Sequence, residues 1–144
     1  MKSTNLFSKK EQLSQIETTA FSQELLRELI IPDLLGEDYD EIIYIAGKRL
    51  ARNVTIESKD ELINFFDEAG WGTLEIIKEK KKTTTYELKG PIVTARFSYK
   101  KDPSFNLEAG FLAEQVQQQT GTITEATYSL KHRNQLVTIT VQSE

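Results

Sequence analysis

At 144 residues and 16.5 kDa the chain has the length of one ordinary domain, and a hydrophobic share of 38% with seven Phe, five Tyr and one Trp suffices to fill a core. Cysteine is absent and His132 is the single histidine, which excludes disulfide frameworks, thiol nucleophiles and Cys/His metal clusters. A net charge of -4 argues against a dedicated nucleic-acid binder. No apolar run approaches the roughly 18 to 20 residues of a membrane span, and no apolar segment follows Met1-Lys2-Ser3-Thr4, so a soluble cytoplasmic protein is expected.

Residues 1–18 are mostly polar, anchored only by Leu6, Phe7, Leu13 and Ile16, and read as a loose arm before a single domain over 19–144. From Thr19, Phe21, Leu25, Leu26, Leu29 and Ile30 recur at helical intervals, predicting a first helix over 19–31 that Pro32 stops. Asp38 and Glu41 resemble a capping box, and Tyr39, Ile42, Ile43, Ala46, Gly47 and Leu50 carry a second helix to about Asn53. Ser58-Lys59-Asp60-Glu61 is a strict capping box opening a third helix over 59–69, which Gly70 ends.

The period then changes to two. Leu74 and Ile76, the β-branched run from Thr83 to Leu88, and the alternation Val93, Ala95, Phe97, Tyr99 predict three consecutive antiparallel strands, with turns at Lys80-Lys81-Lys82 and Gly90-Pro91. Leu107, Phe111, Leu112 and Val116 restore a helix that Thr120-Gly121 ends, and a hairpin closes the chain around Lys131–Gln135. The fold class is therefore α+β in two layers: an antiparallel sheet of about five strands covered by about four helices.

Catalytic signatures are missing: there is no phosphate-binding loop, nucleophile elbow or metalloprotease helix. Gly70-Trp71-Gly72 precedes a strand and reads as a helix cap, not a nucleotide cradle. The acidic run Glu37, Asp38, Asp40, Glu41 lacks the glycine of a calcium loop and suits a helix start. His132, between Lys131 and Arg133, reads as a solvated turn residue. Lys78, Lys80, Lys81 and Lys82, with Tyr86 nearby and Lys100 and Lys101 further along, form the one basic patch; turn lysines also guard a sheet edge. Gly47 and Gly110 sit inside predicted helices, where glycine is disfavoured by about 1 kcal/mol, and so mark close packing.

Leu35-Gly36-Glu37-Asp38, Ile45 to Ala51, Phe65-Phe66-Asp67-Glu68-Ala69-Gly70-Trp71-Gly72 and Leu107 to Glu114, in that order, resemble the YslB-like family of uncharacterised small proteins of Gram-positive bacteria, DUF2507. Through the Gly-Trp-Gly step and the Glu-Ala-Gly-Phe-Leu-Ala helix, that family resembles vinyl-reductase-type domains and TRAPP subunits, of the NO signalling and Golgi transport ligand-binding fold. The resemblance implies a non-enzymatic binding module that dimerises through helices and holds a small hydrophobic ligand or a protein partner. The acylated cysteine of TRAPP subunits has no counterpart here.

On that reading the pocket candidates are Phe65, Phe66, Trp71, Phe97, Phe111 and Leu112, since binding pockets favour aromatic and aliphatic walls. Ordinary core is their alternative role, and a pure assembly scaffold with a solid interior is the alternative function. The apolar circumference of the first two helices exceeds what one face of a small sheet buries. Leu26, Ile30, Tyr39, Ile42, Ile43 and Tyr44 are accordingly the candidate homodimer interface. No catalytic residue, cofactor or metal is expected, and His132 on its charged turn is a poor haem ligand.

Overall fold

The computed structural model describes residues 4–144. Two compact units form, one ending at Tyr39 and one over Asp40–Glu144. In the first unit, α1 (Thr4–Ser8) and α2 (Lys10–Leu13) are short helices within the segment expected to be a loose arm, of which residues 1–3 lie outside the described ones.

Helix α3 covers residues 20–35 in three parts: α-helical Ala20–Glu24, π-helical Leu25–Ile30 and α-helical Ile31–Leu35. Thr19 caps it, its hydroxyl oxygen accepting the Ser22 amide at 3.2 Å. The expected stop at Pro32 does not occur. The proline stands in the first turn of the third part, directly after the π segment, whose wider backbone relieves the clash between a proline ring and the carbonyl four residues back. A 3-10 turn, Gly36–Asp38, leads into α4 (Tyr39–Arg52).

The second unit begins within α4 and continues with α5 (Lys59–Glu68). Ser58 caps α5 as its sequence predicts, the hydroxyl oxygen accepting the Glu61 amide at 3.1 Å, while the Glu61 carboxylate accepts the Glu57 amide at 2.6 Å. At the other end Gly70 takes a left-handed φ of 74°, the Trp71 amide donates to Phe66 O and the Gly70 amide to Asp67 O. That pair of bonds is a Schellman motif, and it turns the Trp71 ring back onto the helix.

Strands β1 (Thr73–Glu79) and β2 (Thr83–Lys89) follow, paired antiparallel through the lysine turn with a bulge between Ile76 and Lys78. The segment expected to be a third strand is a helix, α6 (Pro91–Tyr99), so the sheet has four strands, not five. Its alternation conceals a helical face: Val93 and Arg96, three apart, are the buried residues, and Pro91 occupies the first turn, where its fixed φ suits a helix start.

After α7 (Asn106–Thr120) come β3 (Thr124–Lys131) and β4 (Leu136–Ser143), completing an antiparallel sheet of order β1-β2-β4-β3. One face carries the register rows Leu74–Leu88–Val137 and Tyr86–Ile139, which are buried. The other carries rows such as Thr85–Thr140–Thr127 and Glu87–Thr138–Ser129, as expected for a half-solvated antiparallel sheet.

Helix α7 lies against β3 and β4, and its residues 108–115 are buried without a break. A helix buried all round is a central element. Its outer side meets α4 with no room to spare: a Cβ on Gly47 would stand 2.2 Å from Leu107 O, and one on Gly110 would stand 2.1 Å from Tyr44 O. The two helical glycines therefore mark the close approach that their sequence positions predict.

Candidate functional site

Four of the six pocket candidates come together. Phe65 stacks on Phe111 at 4.8 Å between ring centroids, and Trp71 meets Phe65, Phe66 and Phe111 edge-on at 5.7, 4.9 and 5.4 Å. Phe66 also meets Phe111 edge-on at 5.8 Å. All four rings are buried, as is Leu112 next to Phe111. They come from α5, its Schellman turn and α7, and they fill one another's faces and edges, the preferred geometry of aromatic packing. Phe97, on α6, makes its ring contact with His132 at 5.4 Å.

The interface candidates separate. Leu26, Ile30 and Ile42 are exposed, whereas Ile43 is buried. The Tyr39 hydroxyl donates to the carbonyl of Arg27 at 3.4 Å. Tyr44 is committed within the fold: its hydroxyl accepts the Ala126 amide at 2.9 Å and donates to Glu125 Oε1 at 2.6 Å, while Lys48 Nζ donates to the same oxygen at 2.7 Å. Glu125 is consequently held below the usual carboxylate range, first by the Lys48 hydrogen bond and then by the Tyr44 hydroxyl. Burial is the main cause pushing the Tyr44 hydroxyl up, and the bond to Glu125 adds to it.

A groove of about 200 Å³ opens where α5 and α7 pass the β1–β2 turn. Leu62, Ile76, Val116 and Val141 give it an apolar wall, and Lys59, Lys80, Lys81 and Lys82 surround it. Tyr86 lines it too, buried to 4% exposure, so its ring is not available for stacking on a nucleobase. Lys100 and Lys101 are not part of this cluster: the Lys101 carbonyl lies 2.8 Å from His132 Nε2. His132 also comes within 3.7 Å of Asp102, so it is a docked residue on its hairpin. Among the described residues no three His, Asp or Glu side chains converge as a metal site would require, and no helix is long and apolar enough to cross a membrane.

The fold is similar to that of a solved vinyl-4-reductase family protein from Methanocaldococcus jannaschii. The TM-score is 0.66 at 19% identity, over 94% of this chain and 88% of that one. This likeness defines the fold class. At the level of family, a model described as "Protein of unknown function (DUF2507)" matches residues 20–142, and the chain belongs to that family. It is 46% identical over 132 residues to the uncharacterized protein YslB of Bacillus subtilis (strain 168), which covers 92% of this chain and 89% of that protein.

Proposed function

We propose that the chain is a non-enzymatic assembly module that pairs with a second copy of itself through α3. The observation that carries this reading is that α3 is amphipathic in the inverted sense. Phe21, Leu26, Leu29, Ile30 and Leu34 are between 44% and 77% exposed, whereas Arg27 is 8% exposed and bonds Glu28 at 3.1 Å. The π segment lengthens the local repeat, so that Phe21 and Leu26, five apart, fall on one side with Ile30 and Leu34. Together these side chains present on the order of 500 Å² of apolar surface, in the range where exposed patches serve recognition. A continuous apolar stripe along one helix can lie antiparallel against its own copy, as the same patch used twice in a two-fold dimer.

The non-enzymatic part of the proposal is supported by composition and by the packed aromatic cluster, whose rings occupy the space a guest among them would need. Sedimentation equilibrium at micromolar concentration tests the assembly. Dimer is expected for the natural chain and monomer with unchanged circular dichroism for the double variant Leu26→Glu, Leu29→Glu. A natural chain that sediments only as monomer sinks the proposal.

A further inference from the structure

We propose that the groove between α5, α7 and the β1–β2 turn binds a small organic anion, its apolar body on Leu62, Ile76, Val116 and Val141 and its charged head among Lys80, Lys81 and Lys82. Turn lysines beside an edge strand would by themselves be explained as protection of that edge. The second observation is Tyr86. It is 4% exposed, it lines the groove, and its hydroxyl makes no hydrogen bond within the described residues. The ring is buried while the hydroxyl oxygen reaches the groove, so it is a donor open to an incoming acceptor.

Charge selects the sign of the ligand. The groove is lined by four lysines and one carboxylate, Glu79, which Lys59 already engages in an ion pair. Among the described residues Lys80, Lys81 and Lys82 enter no ion pair, which leaves three cations at the mouth on a chain whose net charge is -4. Size selects its scale: about 200 Å³ is below the volume of pockets that enclose drug-sized ligands, so the groove suits one short apolar body with one head group. Burial raises the Tyr86 hydroxyl to about 12, and Glu79 adds to the rise, so this group stays a donor at neutral pH.

The test is an NMR titration of amide resonances with octanoate and octyl phosphate, beside octanol and octylamine. The expected result is shifts confined to the neighbourhood of Leu62, Ile76, Tyr86 and Val116, with the anions binding about tenfold tighter than octanol, as charge-assisted bonds should provide. The tighter of the two anions identifies a carboxylate or a phosphate head. Tyr86→Phe should weaken anion binding several-fold without loss of thermal stability, because the hydroxyl it removes has no partner inside the protein. Replacing Lys80, Lys81 and Lys82 together by Gln should erase the advantage of the anions over octanol. Equal binding of octanol and octanoate, shifts centred on α3, or full affinity in Tyr86→Phe would each overturn the proposal.

Discussion

Gly47 and Gly110 occupy reciprocal positions in one helix crossing: each stands where a side chain on it would strike the backbone of the other's helix, Leu107 O in one case and Tyr44 O in the other. Backbone cannot turn aside as a side chain can, so Gly47→Ala and Gly110→Ala must part α4 from α7. Each should cost about 3 kcal/mol, the upper range for overpacking, in chemical denaturation. Once the helices have parted, the second methyl meets less resistance, so the double variant should cost clearly less than the sum of the two.

The aromatic cluster makes a prediction of the opposite kind. Phe111 touches Phe65, Phe66 and Trp71 and is fully buried. Phe111→Ala should lower unfolding free energy by about 3 to 5 kcal/mol, as for a large ring removed from a filled core. A loss under about 1 kcal/mol would mean that the site is loosely packed and open to a guest.

Tyr44 and Glu125 predict a local effect and a pH effect. Tyr44→Phe removes the oxygen that accepts the Ala126 amide on β3, so hydrogen exchange at that amide should accelerate while β4 and β2 stay protected. A carboxylate held low in the folded state adds stability above its unfolded value of about 4.3 and loses it as pH falls through its folded value. The natural chain should therefore exceed Glu125→Gln in stability at pH 7, by less than about 1 kcal/mol because Glu125 is largely solvated. The difference should fade below about pH 4.

Tyr86 acts at the other end of the scale. Its hydroxyl is raised from 10.0 to about 12, chiefly by burial. A raised group contributes stability that is whole below its unfolded value and is lost as pH climbs through its folded one. Denaturation curves should show a loss of roughly 2 to 3 kcal/mol between about pH 10 and 12 that Tyr86→Phe removes. An unchanged alkaline slope in that variant would place the titration elsewhere.

Much of this was legible in the sequence, for identifiable reasons. Ser58-x-x-Glu61 and Gly70 act through bonds within a few residues of themselves, so local chemistry sufficed to bound α5. Gly47 and Gly110 were visible because a helix interior penalises glycine unless a neighbour needs the space. The segment Pro91–Tyr99 misled because Arg96, fully buried over the Phe105 ring at 5.2 Å, reads as a surface residue; discounting it erases the helical interval and leaves only alternation. Four rings of the candidate pocket do assemble, yet apolar pattern alone does not distinguish a filled cluster from a lined cavity. The groove at Tyr86 required Val116 and Leu62 to arrive from two other elements, and no local signal announces that.

The lateral borders of the sheet have a consequence for how copies of this chain can meet. On β3 the Thr124 amide is taken by Gln117 Oε1 at 3.0 Å and the Ala126 amide by the Tyr44 hydroxyl, so two successive outward donors are already spent on side chains of α7 and α4. On β1 the bulge at Ile76 and Lys78 breaks the even ladder that an added strand would need. At these positions an added strand would find the donors taken on β3 and the ladder out of step on β1, so both borders resist continuation of the sheet there.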